Sequence, residues 1–303
     1  MFSLDVLCVG SVTVDTIAVV PALPGPDERV LATSIVTADG GPAATAAVAL
    51  ARLGVSVGFC GVVGNDPEGE RARAQLEREG VDTRYLTVDP GVQTARGLIL
   101  IPTGSIDRSI IASQAPEPTL HQVPVSVADW IHTDQTGFGP ARAALTAQAG
   151  RSRLSVDGGN PLSTKDWVGV DLYVPSVSAL RTHYEGIDTE PALAAALVDG
   201  AGRVVATDGA NGAWIAGEGS AAFIPGFRID VSSTLGAGDV FHGALLAGLI
   251  AGYPLERAVV EANATAAISC SQVDGRSGIP RRDELEDFLA NRERDRSPAG
   301  AGQ

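Results

Sequence analysis

The chain has 303 residues, of which 45% are hydrophobic and 19% charged, and its formal net charge at pH 7 is −14. This length suits one large α/β domain or two smaller ones, with a core that needs no covalent staples. The negative charge argues against a nucleic-acid backbone or an anionic membrane as the main partner.

The first part of the chain mixes strands with two helices. Residues 4–9 are a short apolar run before Gly10 and predict a buried strand. Residues 12–20 and 29–37 are rich in β-branched side chains but mixed in polarity, which is typical of strands with one solvated face. Further along, the sequence predicts an Ala-rich helix over 42–53, a strand over 55–63, a helix over 67–80, and a hairpin of strands 97–101 and 106–111 around the turn at 102–105.

From about residue 128, short strands alternate regularly with helices, which indicates a parallel sheet with helices on both faces. The predicted strands are 129–133, 153–157, 171–174 and 203–207, and the predicted helices are 139–149, 190–200, 237–252, 255–271 and 282–291. We therefore expect one α/β domain over 1–292 with a small β-rich excursion built from about 11–38 and 94–113. The tail 293–303 lacks apolar anchors, so we expect it to be disordered.

Three observations bear on location and chemistry. Cys8, Cys60 and Cys270 each lie in an apolar stretch, which indicates buried thiols in a reducing compartment. The N-terminus has no basic leader or cleavage pattern, and the most apolar helix is too short for a bilayer, so we expect a cytoplasmic protein. The chain's single lysine, Lys165, follows no glycine, which excludes a P-loop and the lysine of a protein-kinase strand.

The run STLGAGDVFHGALLAGL at 233–249 places small residues and an acid at the start of an apolar helix. The N–H groups of Gly236, Ala237 and Gly238 have no partners within the helix and, with the helix dipole, predict an anion site. Asp239 cannot bind a phosphate, but it can orient a hydroxyl nucleophile and take its proton. The alternative is an ordinary helix start, because the dipole itself favours an acid in the first turn.

In company with other motifs, this run resembles the signature of the PfkB family of ribokinase-like carbohydrate kinases, usually D-T-x-G-A-G-D. GGPAATAAVALARLG at 40–54 matches the family's Gly-Gly pair before a small-residue helix. GVVGNDPEG at 61–69, with GVDT at 80–83, matches G-x-x-G-x-D-x-x-G, and GRSGIP at 275–280 matches the C-terminal turn. The matches fall in family order and cover nearly the whole chain.

The resemblance implies a three-layer α/β/α sandwich around a mostly parallel sheet, with the β-rich excursion as a lid. It implies transfer of the γ-phosphoryl group of ATP to a sugar hydroxyl, with Asp239 as the base and Gly236, Ala237 and Gly238 as the anion hole. A carboxylate at a helix N-terminus should be a weak base, which a loose transition state tolerates.

The resemblance also implies the residues that bind the sugar. Asp15, just past the first strand, matches the Asp that hydrogen-bonds sugar hydroxyls, with a turn Asp as the alternative. Gly40 and Gly41 match glycines that let the sugar approach the backbone, with a plain helix cap as the alternative. Thr45 stands where many members have Asn and offers fewer donors.

For the nucleotide, Thr207, Gly209 and Gly212 match the family's T-x-G-x-x-G loop near the phosphates and ribose, with a Gly-rich hairpin turn as the alternative. Asn263 resembles the Asn of the adenine pocket, with a helix-surface Asn as the alternative. Asp157, at a strand end, is a candidate to face the phosphates.

Two departures from the family concern ions. Ser233 replaces the first Asp of the signature, which argues against activation by K⁺, although Asp230 is near in sequence. Ser176 and Ala179 occupy the Asn and Glu positions of the N-x-x-E motif linked to Mg²⁺. The expected cofactors are therefore ATP and Mg²⁺, with K⁺ in question and no protein ligand assigned to a metal.

Arg29, Arg96 and Arg108 fall in the expected lid, where solvated arginines are the default and contact with an anionic substrate group is the alternative. We assign Arg29 and Arg108 to the substrate. GGPAATAAVA and DVFHGAL look especially like sulfofructose kinases, so ribose, fructose and sulfofructose are all candidate acceptors. The alternatives are a nucleoside kinase of the family or a sugar-binding regulator without turnover. Open lid edges also favour a homodimer paired through the lid.

Overall fold

The computed structural model describes residues 4–104, 108–149, 151–162, 164, 166–217 and 221–296, with side chains to residue 292. Its strands are β1 Leu4–Val9, β2 Thr13–Val20, β3 Ser34–Gly40, β4 Val57–Gly64, β5 Asp82–Asp89, β6 Ala95–Pro102, β7 Ser109–Ala112, β8 Ala128–Thr133, β9 Arg153–Gly158, β10 Leu172–Pro175, β11 Val204–Thr207, β12 Gly212–Ala216 and β13 Ala222–Pro225. Its helices are α1 Pro42–Arg52, α2 Pro67–Arg78, α3 Phe138–Ala147, α4 Val177–His183, α5 Thr189–Val198, α6 Ala237–Ile250, α7 Leu255–Ser269 and α8 Arg282–Arg296.

Nine strands form one sheet in the order β13-β12-β11-β10-β9-β8-β1-β4-β5. The pairs from β11 through to β5 are parallel, and β12 and β13 add antiparallel strands at one edge. Consecutive parallel strands need crossover helices, which cover the faces of such a sheet. The predicted α/β sandwich is therefore confirmed.

Two separate apolar cores lie on the two faces of this sheet. One core packs α1, α6 and α7 on the sheet, and the other packs α3 and α5 on it. Helices α1 and α6 approach closely because Gly243 faces the Ala46 carbonyl, where a Cβ would come within 2.5 Å. Both helices begin at the carboxyl edge of the parallel strands, so their N-termini meet in one place.

The lid is a separate four-stranded sheet in the order β3-β2-β6-β7. Strands β2 and β6 pair in parallel, and the outer pairs are antiparallel, including the predicted β6–β7 hairpin. Its inner face packs Ile17, Ile99 and Ile101 against Leu235 and Val273 of the main domain. This small core fixes the lid above the start of α6.

Several boundaries differ from the sequence predictions. Strand β3 begins at Ser34 rather than at residue 29, because the chain before it is a loop rich in proline and charge. The sequence analysis missed β5, α4, β12 and β13, of which the last three have only four to seven residues each. Helix α8 continues to Arg296, beyond the predicted end at 291 and into the predicted tail. Residues 297–303 of that tail, Lys165 and Ser105 of the predicted hairpin turn lie outside the described residues.

The three cysteines are buried and unpaired, as predicted. Among the described residues, no helix has the length and apolar character needed to cross a membrane.

Candidate active site

Helix α6 begins in a left-handed turn. Gly236 has φ 71°, and a Cβ there would lie 3.0 Å from the backbone of Gly275, so both conformation and space favour glycine. Ser233 stabilises the approach to this turn, because its Oγ accepts a hydrogen bond from the Leu235 amide at 3.1 Å. Its own amide donates to the Cys270 carbonyl at 3.2 Å. A neutral serine thus holds the loop where the PfkB pattern has an acid.

The predicted anion hole comprises Gly236, Ala237 and Gly238. The amide of Ala237 turns back to the Thr234 carbonyl at 3.3 Å. Within the described part of the chain, the amides of Gly236 and Gly238 have no backbone acceptor, and a Cβ at Gly238 would meet nothing within 4 Å. Two of the three predicted donors are therefore available to an anion at the helix N-terminus.

Asp239 lies in the first turn of α6, beside two further ionisable side chains. One oxygen each from Asp239 and Asp157 and a ring nitrogen of His242 lie within 4.8 Å of one another. Burial raises the pKa of Asp239 well above its usual value, and the charges of Asp157 and Asp134 raise it further, whereas the Arg276 guanidinium acts in the opposite direction. The expectation that the helix N-terminus makes Asp239 a weak base is wrong, because desolvation outweighs the dipole.

Asp134 ties together three segments that frame the site. Its side chain is fully buried, and it follows β8 directly. Its oxygens accept hydrogen bonds from the Ser11 amide (2.8 Å) and hydroxyl (2.7 Å) and from the amides of Thr136 (2.8 Å), Gly137 (3.0 Å) and Ala43 (3.3 Å). The ends of β1 and β8 and the starts of α1 and α3 are thereby fixed to one carboxylate. The sequence analysis missed this residue, although an acid at a strand end was a usable signal.

Asp15 follows β1, as predicted, and lies within β2, which runs from Thr13 to Val20, rather than on a turn. It sits between glycines of the two neighbouring strands. A Cβ at Gly40 would come within 2.1 Å of its Oδ2, and a Cβ at Gly97 within 2.5 Å of its Oδ1. Burial raises the pKa of Asp15, against the effects of a hydrogen bond from Thr13 and the charge of Arg276. The glycines therefore make room for a carboxylate on the inner face of the lid.

Gly41 precedes α1 with φ 93°, and a Cβ there would lie 2.5 Å from the Ser11 carbonyl. This close approach requires glycine, whereas a plain helix cap does not. Gly40 and Gly41 thus bring the lid strand β3 directly onto the start of α1, at the edge of the sheet where Asp15 lies.

Arg276 is a buried cation in this same region, and the sequence analysis missed it. Its Nε donates to Thr45 Oγ1 at 3.1 Å, and its Nη2 donates to the Gly40 carbonyl at 2.6 Å. Burial lowers its pKa, while the charges of Asp39, Asp15 and Asp239 act in the opposite direction.

Arg52 keeps the turn around Arg276 in place. Its Nη1 donates to the carbonyls of Arg276 at 2.9 Å and Ile279 at 2.7 Å, and its guanidinium pairs with Glu79. The hydroxyl of Thr45, which is predicted to contact the sugar, accepts a hydrogen bond from Arg276. The signal in the sequence was an arginine inside the Gly-rich turn GRSGIP.

The predicted nucleotide residues lie around one open cleft of about 180 Å³, between the β11–β13 edge and α6–α7. Thr207, Gly209, Gly212 and Asn263 all line it. Gly209 and Gly212 have φ 55° and 126°, and a Cβ at Gly212 would lie 2.1 Å from the Ile224 carbonyl. The loop therefore depends on glycine for its course. Most of the lining of this cleft is apolar, as in pockets that hold small molecules.

Asn263 is buried and does not lie on the exposed surface of its helix. Its Nδ2 donates to the carbonyls of Ile224 and Pro225, both at 3.3 Å, which joins α7 to β13. Its Oδ1 is left as an acceptor at the wall of the cleft. The cleft runs on to Ala237 and Gly238, so it opens directly at the start of α6.

The three predicted lid arginines have different surroundings. Arg108 reaches from the lid to the loop before α6, where its Nη1 donates to Thr234 Oγ1 at 2.8 Å. Arg96 is exposed and forms an ion pair with Glu68 at 3.1 Å. Arg29 is exposed in the loop between β2 and β3. Of the three, Arg108 lies at the predicted anion hole.

The positions of the family's Mg²⁺ motif are used structurally. Ser176 caps α4, its Oγ accepting the Ala179 amide at 3.0 Å, and Ala179 carries no ligating atom. This segment does not fit a metal-binding role.

Comparison with known proteins agrees with this geometry. A sequence profile described as pfkB family carbohydrate kinase matches residues 3–134 and 165–282. A ribokinase of Haemophilus influenzae is 28% identical, over 92% of this chain and 96% of the relative. An ATP-dependent ribose-1-phosphate kinase of Halopiger xanaduensis is 31% identical, over 95% of this chain and 98% of the relative.

Solved structures share the fold. Ribokinase from Thermotoga maritima superposes with a TM-score of 0.84 at 24% identity, covering 95% of this chain and 100% of that one. A structure from E. coli described as a putative ribokinase II, in complex with ATP and Mg²⁺, has a TM-score of 0.79 at 22% identity, covering 95% and 99%. The resemblance thus extends over the sheet, the helices and the lid.

Proposed function

This chain belongs to the pfkB family of carbohydrate kinases and is an ATP-dependent sugar kinase, and we propose that its acceptor is a hydroxyl of a small neutral sugar such as ribose or fructose. One observation carries the proposal: the acids Asp15 and Asp239 and the buried cation Arg276 converge between the lid and the start of α6. Carboxylates accept hydrogen bonds from sugar hydroxyls, and a guanidinium donates to their oxygens. Of the three charged groups that converge there, two are carboxylates and one is a guanidinium, which favours a neutral polyol over an anion.

The bound nucleotide supplies the γ-phosphoryl group that is transferred. Asp15 fixes the sugar from the lid side, so that one hydroxyl faces Asp239. Asp239 accepts the proton of that hydroxyl as the new P–O bond forms and the bond from the γ-phosphorus to the ADP oxygen breaks. The amides of Gly236 and Gly238 receive the charge on the phosphoryl oxygens, and the lid excludes water.

Arg108 completes this arrangement from the lid. Its hydrogen bond to Thr234 places a guanidinium beside the start of α6, where its charge offsets the raised pKa of Asp239. In that place it neutralises charge on the transferred phosphoryl group and links lid closure to turnover. Arg29 remains a candidate substrate contact for a lid loop that has closed over the sugar.

Mg²⁺ would bind together with ATP and would offset charge on its phosphates, and the segment at Ser176 and Ala179 offers it no carboxylate. K⁺ activation is not part of the proposal, since neutral Ser233 holds the loop by hydrogen bonds to backbone groups.

A second candidate acceptor is an anionic sugar derivative, either a sugar phosphate or a sulfosugar such as sulfofructose. Arg276 and Arg108 favour it, because both present guanidinium groups to the pocket between lid and main domain. The similarity to the Halopiger enzyme, named for ribose 1-phosphate, points in the same direction.

A coupled assay of ADP release over ribose, fructose, ribose 1-phosphate, sulfofructose and nucleosides separates these candidates. The proposal expects the highest kcat/KM with ribose or fructose. A clear preference for the phosphate or the sulfonate selects the anionic class, and a preference for nucleosides contradicts both. Asp239→Asn in the same assay controls for contaminating kinases.

We also propose a cytoplasmic homodimer joined through the outer face of the lid. The strand register places Ile35, Leu98 and Ile111 on one face, opposite to that of Asp15 and Ile17. Their exposed fractions are 67%, 41% and 65%, a large apolar surface for a monomer. Light scattering should give the mass of a dimer for the parent and of a monomer for Ile111→Glu, and a monomeric parent contradicts the proposal.

A further inference from the structure

Beneath the base, a histidine and an aspartate face each other away from solvent. His242 follows Asp239 by one turn of α6, and its side chain and that of Asp157 are each only 5% exposed. The distance from His242 Nδ1 to Asp157 Oδ2 is 3.3 Å. The proposed phosphoryl transfer does not use either side chain, and His242 Nδ1 is buried from solvent.

The hydrogen bond on the other side of the ring fixes where one proton lies. His242 Nε2 is 3.0 Å from the carbonyl oxygen of Val174, at the end of β10. A carbonyl can only accept, so Nε2 carries a hydrogen. In a neutral ring Nδ1 would then present a lone pair to a carboxylate oxygen. Two acceptors in contact, buried from water, are unfavourable unless a cation or a proton lies between them.

We infer that His242 is an imidazolium whose Nδ1 side forms an ion pair with Asp157, and that this buried ion pair is a positioning device that keeps Asp239 ionised. The proton belongs on the ring because Asp157 Oδ1 already accepts the Gly159 amide at 2.7 Å, which favours the ionised carboxylate. The catalytic consequence rests on the proposed role of Asp239, but the charge state of His242 does not.

The surroundings of the ring assign the charge to this histidine and not to its neighbour. The ionisable groups around His242 are His132 from β8, with ring centroids 5.7 Å apart, Asp157 from β9, and Asp239 from its own helix. Burial lowers the pKa of His132 to about 3, so His132 is neutral, with its Nδ1 3.2 Å from Ser155 Oγ. His242 is therefore the ring whose positive charge offsets the negative charge of the carboxylates.

The effect on the base follows from charge. Asp157 is the charged neighbour that raises the pKa of Asp239 most. An imidazolium bound to Asp157 cancels that charge and leaves Asp239 free to ionise and accept the substrate proton. Without His242, Asp157 stays charged or takes a proton itself, and in the first case Asp239 holds its proton to higher pH.

The charge state is tested directly by NMR of the full chain labelled with ¹⁵N-histidine. The sequence has only four histidines, so His242→Asn and His132→Asn assign the two buried rings. We expect hydrogens on both ring nitrogens of His242 at pH 7.5 and on one nitrogen of His132, which serves as the internal reference. A neutral His242 at that pH overturns the inference, whether or not any sugar is turned over.

The catalytic consequence is tested by the pH dependence of kcat/KM, whose acid limb reports ionisation of the base. His242→Asn should move this limb upward by about one pH unit, the effect of one nearby charge. Asp157→Asn should move it downward, and the double variant should lie close to the parent, because both charges are then gone. His132→Asn, which removes a neutral ring, should leave the limb in place.

Additive losses of kcat with no movement of the acid limb would mean that His242 only packs, and they overturn the tuning role. The same three ligand atoms of Asp157, Asp239 and His242 also have the spacing of a divalent cation site. Elemental analysis of the enzyme, purified without chelator and without added metal, decides this. If the parent holds one equivalent of Zn²⁺ or Mn²⁺ and His242→Asn holds none, a metal ion and not a proton lies between His242 and Asp157. That result also overturns the inference.

Discussion

Arg276→Gln perturbs the pocket at the residue that the sequence analysis missed. The guanidinium donates to the Gly40 carbonyl at 2.6 Å and to Thr45 Oγ1 at 3.1 Å, and it is 8% exposed. A buried acceptor left without a donor costs about 1–3 kcal/mol, and glutamine can replace one of the two bonds, so we expect the free energy of unfolding to fall by about 2 kcal/mol.

The effect of Arg276→Gln on catalysis should exceed its effect on the fold. A hydrogen bond from a charged donor is worth about 1.5–3 kcal/mol, which predicts an increase of about 10- to 100-fold in KM for the sugar. The Arg276 charge also lowers the pKa of Asp15 and of Asp239. Removing it should therefore move the acid limb of kcat/KM to higher pH, while KM for ATP changes little.

Urea unfolding at pH 7.5 and initial rates over pH 5–9, with sugar and ATP varied separately, measure these effects. Arg84→Gln is the matched control, because it removes the same charge from an exposed pair with Asp82. A folded Arg276→Gln variant that keeps the parent KM for sugar, or whose KM rises equally for sugar and ATP, would show that Arg276 has no specific role in the sugar pocket.

Three further predictions address the start of α6. Gly236→Ala should lower kcat by about tenfold or more. Gly252→Ala is the control, because Gly252 has a similar left-handed φ (80° against 71°) but a Cβ there would meet no atom within 4 Å. Equal losses of kcat in the two variants would show that backbone strain alone matters. The folded-state pKa of Asp239 is raised, so its ionisation destabilises the fold. At pH values above 7, Asp239→Asn should therefore have a higher Tm than the parent, and this gain should vanish as the pH falls toward the unfolded-state pKa of about 4. A difference in Tm that does not change with pH would contradict this. Arg108→Gln should lower kcat by about tenfold, whereas Arg96→Gln should change kcat little. Equal effects on kcat would show that Arg108 does not act at the anion hole.

The sequence predicted those parts of the fold that local pattern determines. Long helices with small-residue faces, such as α1 and α6, and the glycine-rich turns at their starts carry strong periodic and steric signals. The strands β12 and β13 have five and four residues, and their pairing depends on β11 rather than on their own composition. Such short strands are specified by tertiary contacts, which the sequence does not display.

Candidate site residues could be predicted where one short sequence motif contains them, and not where segments that are distant in sequence come into contact. Asp239 and Gly236 follow from a single stretch of sequence. Arg276 acts at Thr45 across 231 positions, and His242 meets Val174 across 68. The basicity of Asp239 was misjudged for the same reason, since burial and Asp157 come from other parts of the chain.

Single-turnover phosphoryl transfer by Asp239→Asn with the best sugar measures whether Asp239 is the base of a sugar kinase. We expect a rate at least about 10³-fold below the parent, because general-base catalysis is lost, with the Kd for ATP unchanged. A rate within tenfold of the parent would contradict it.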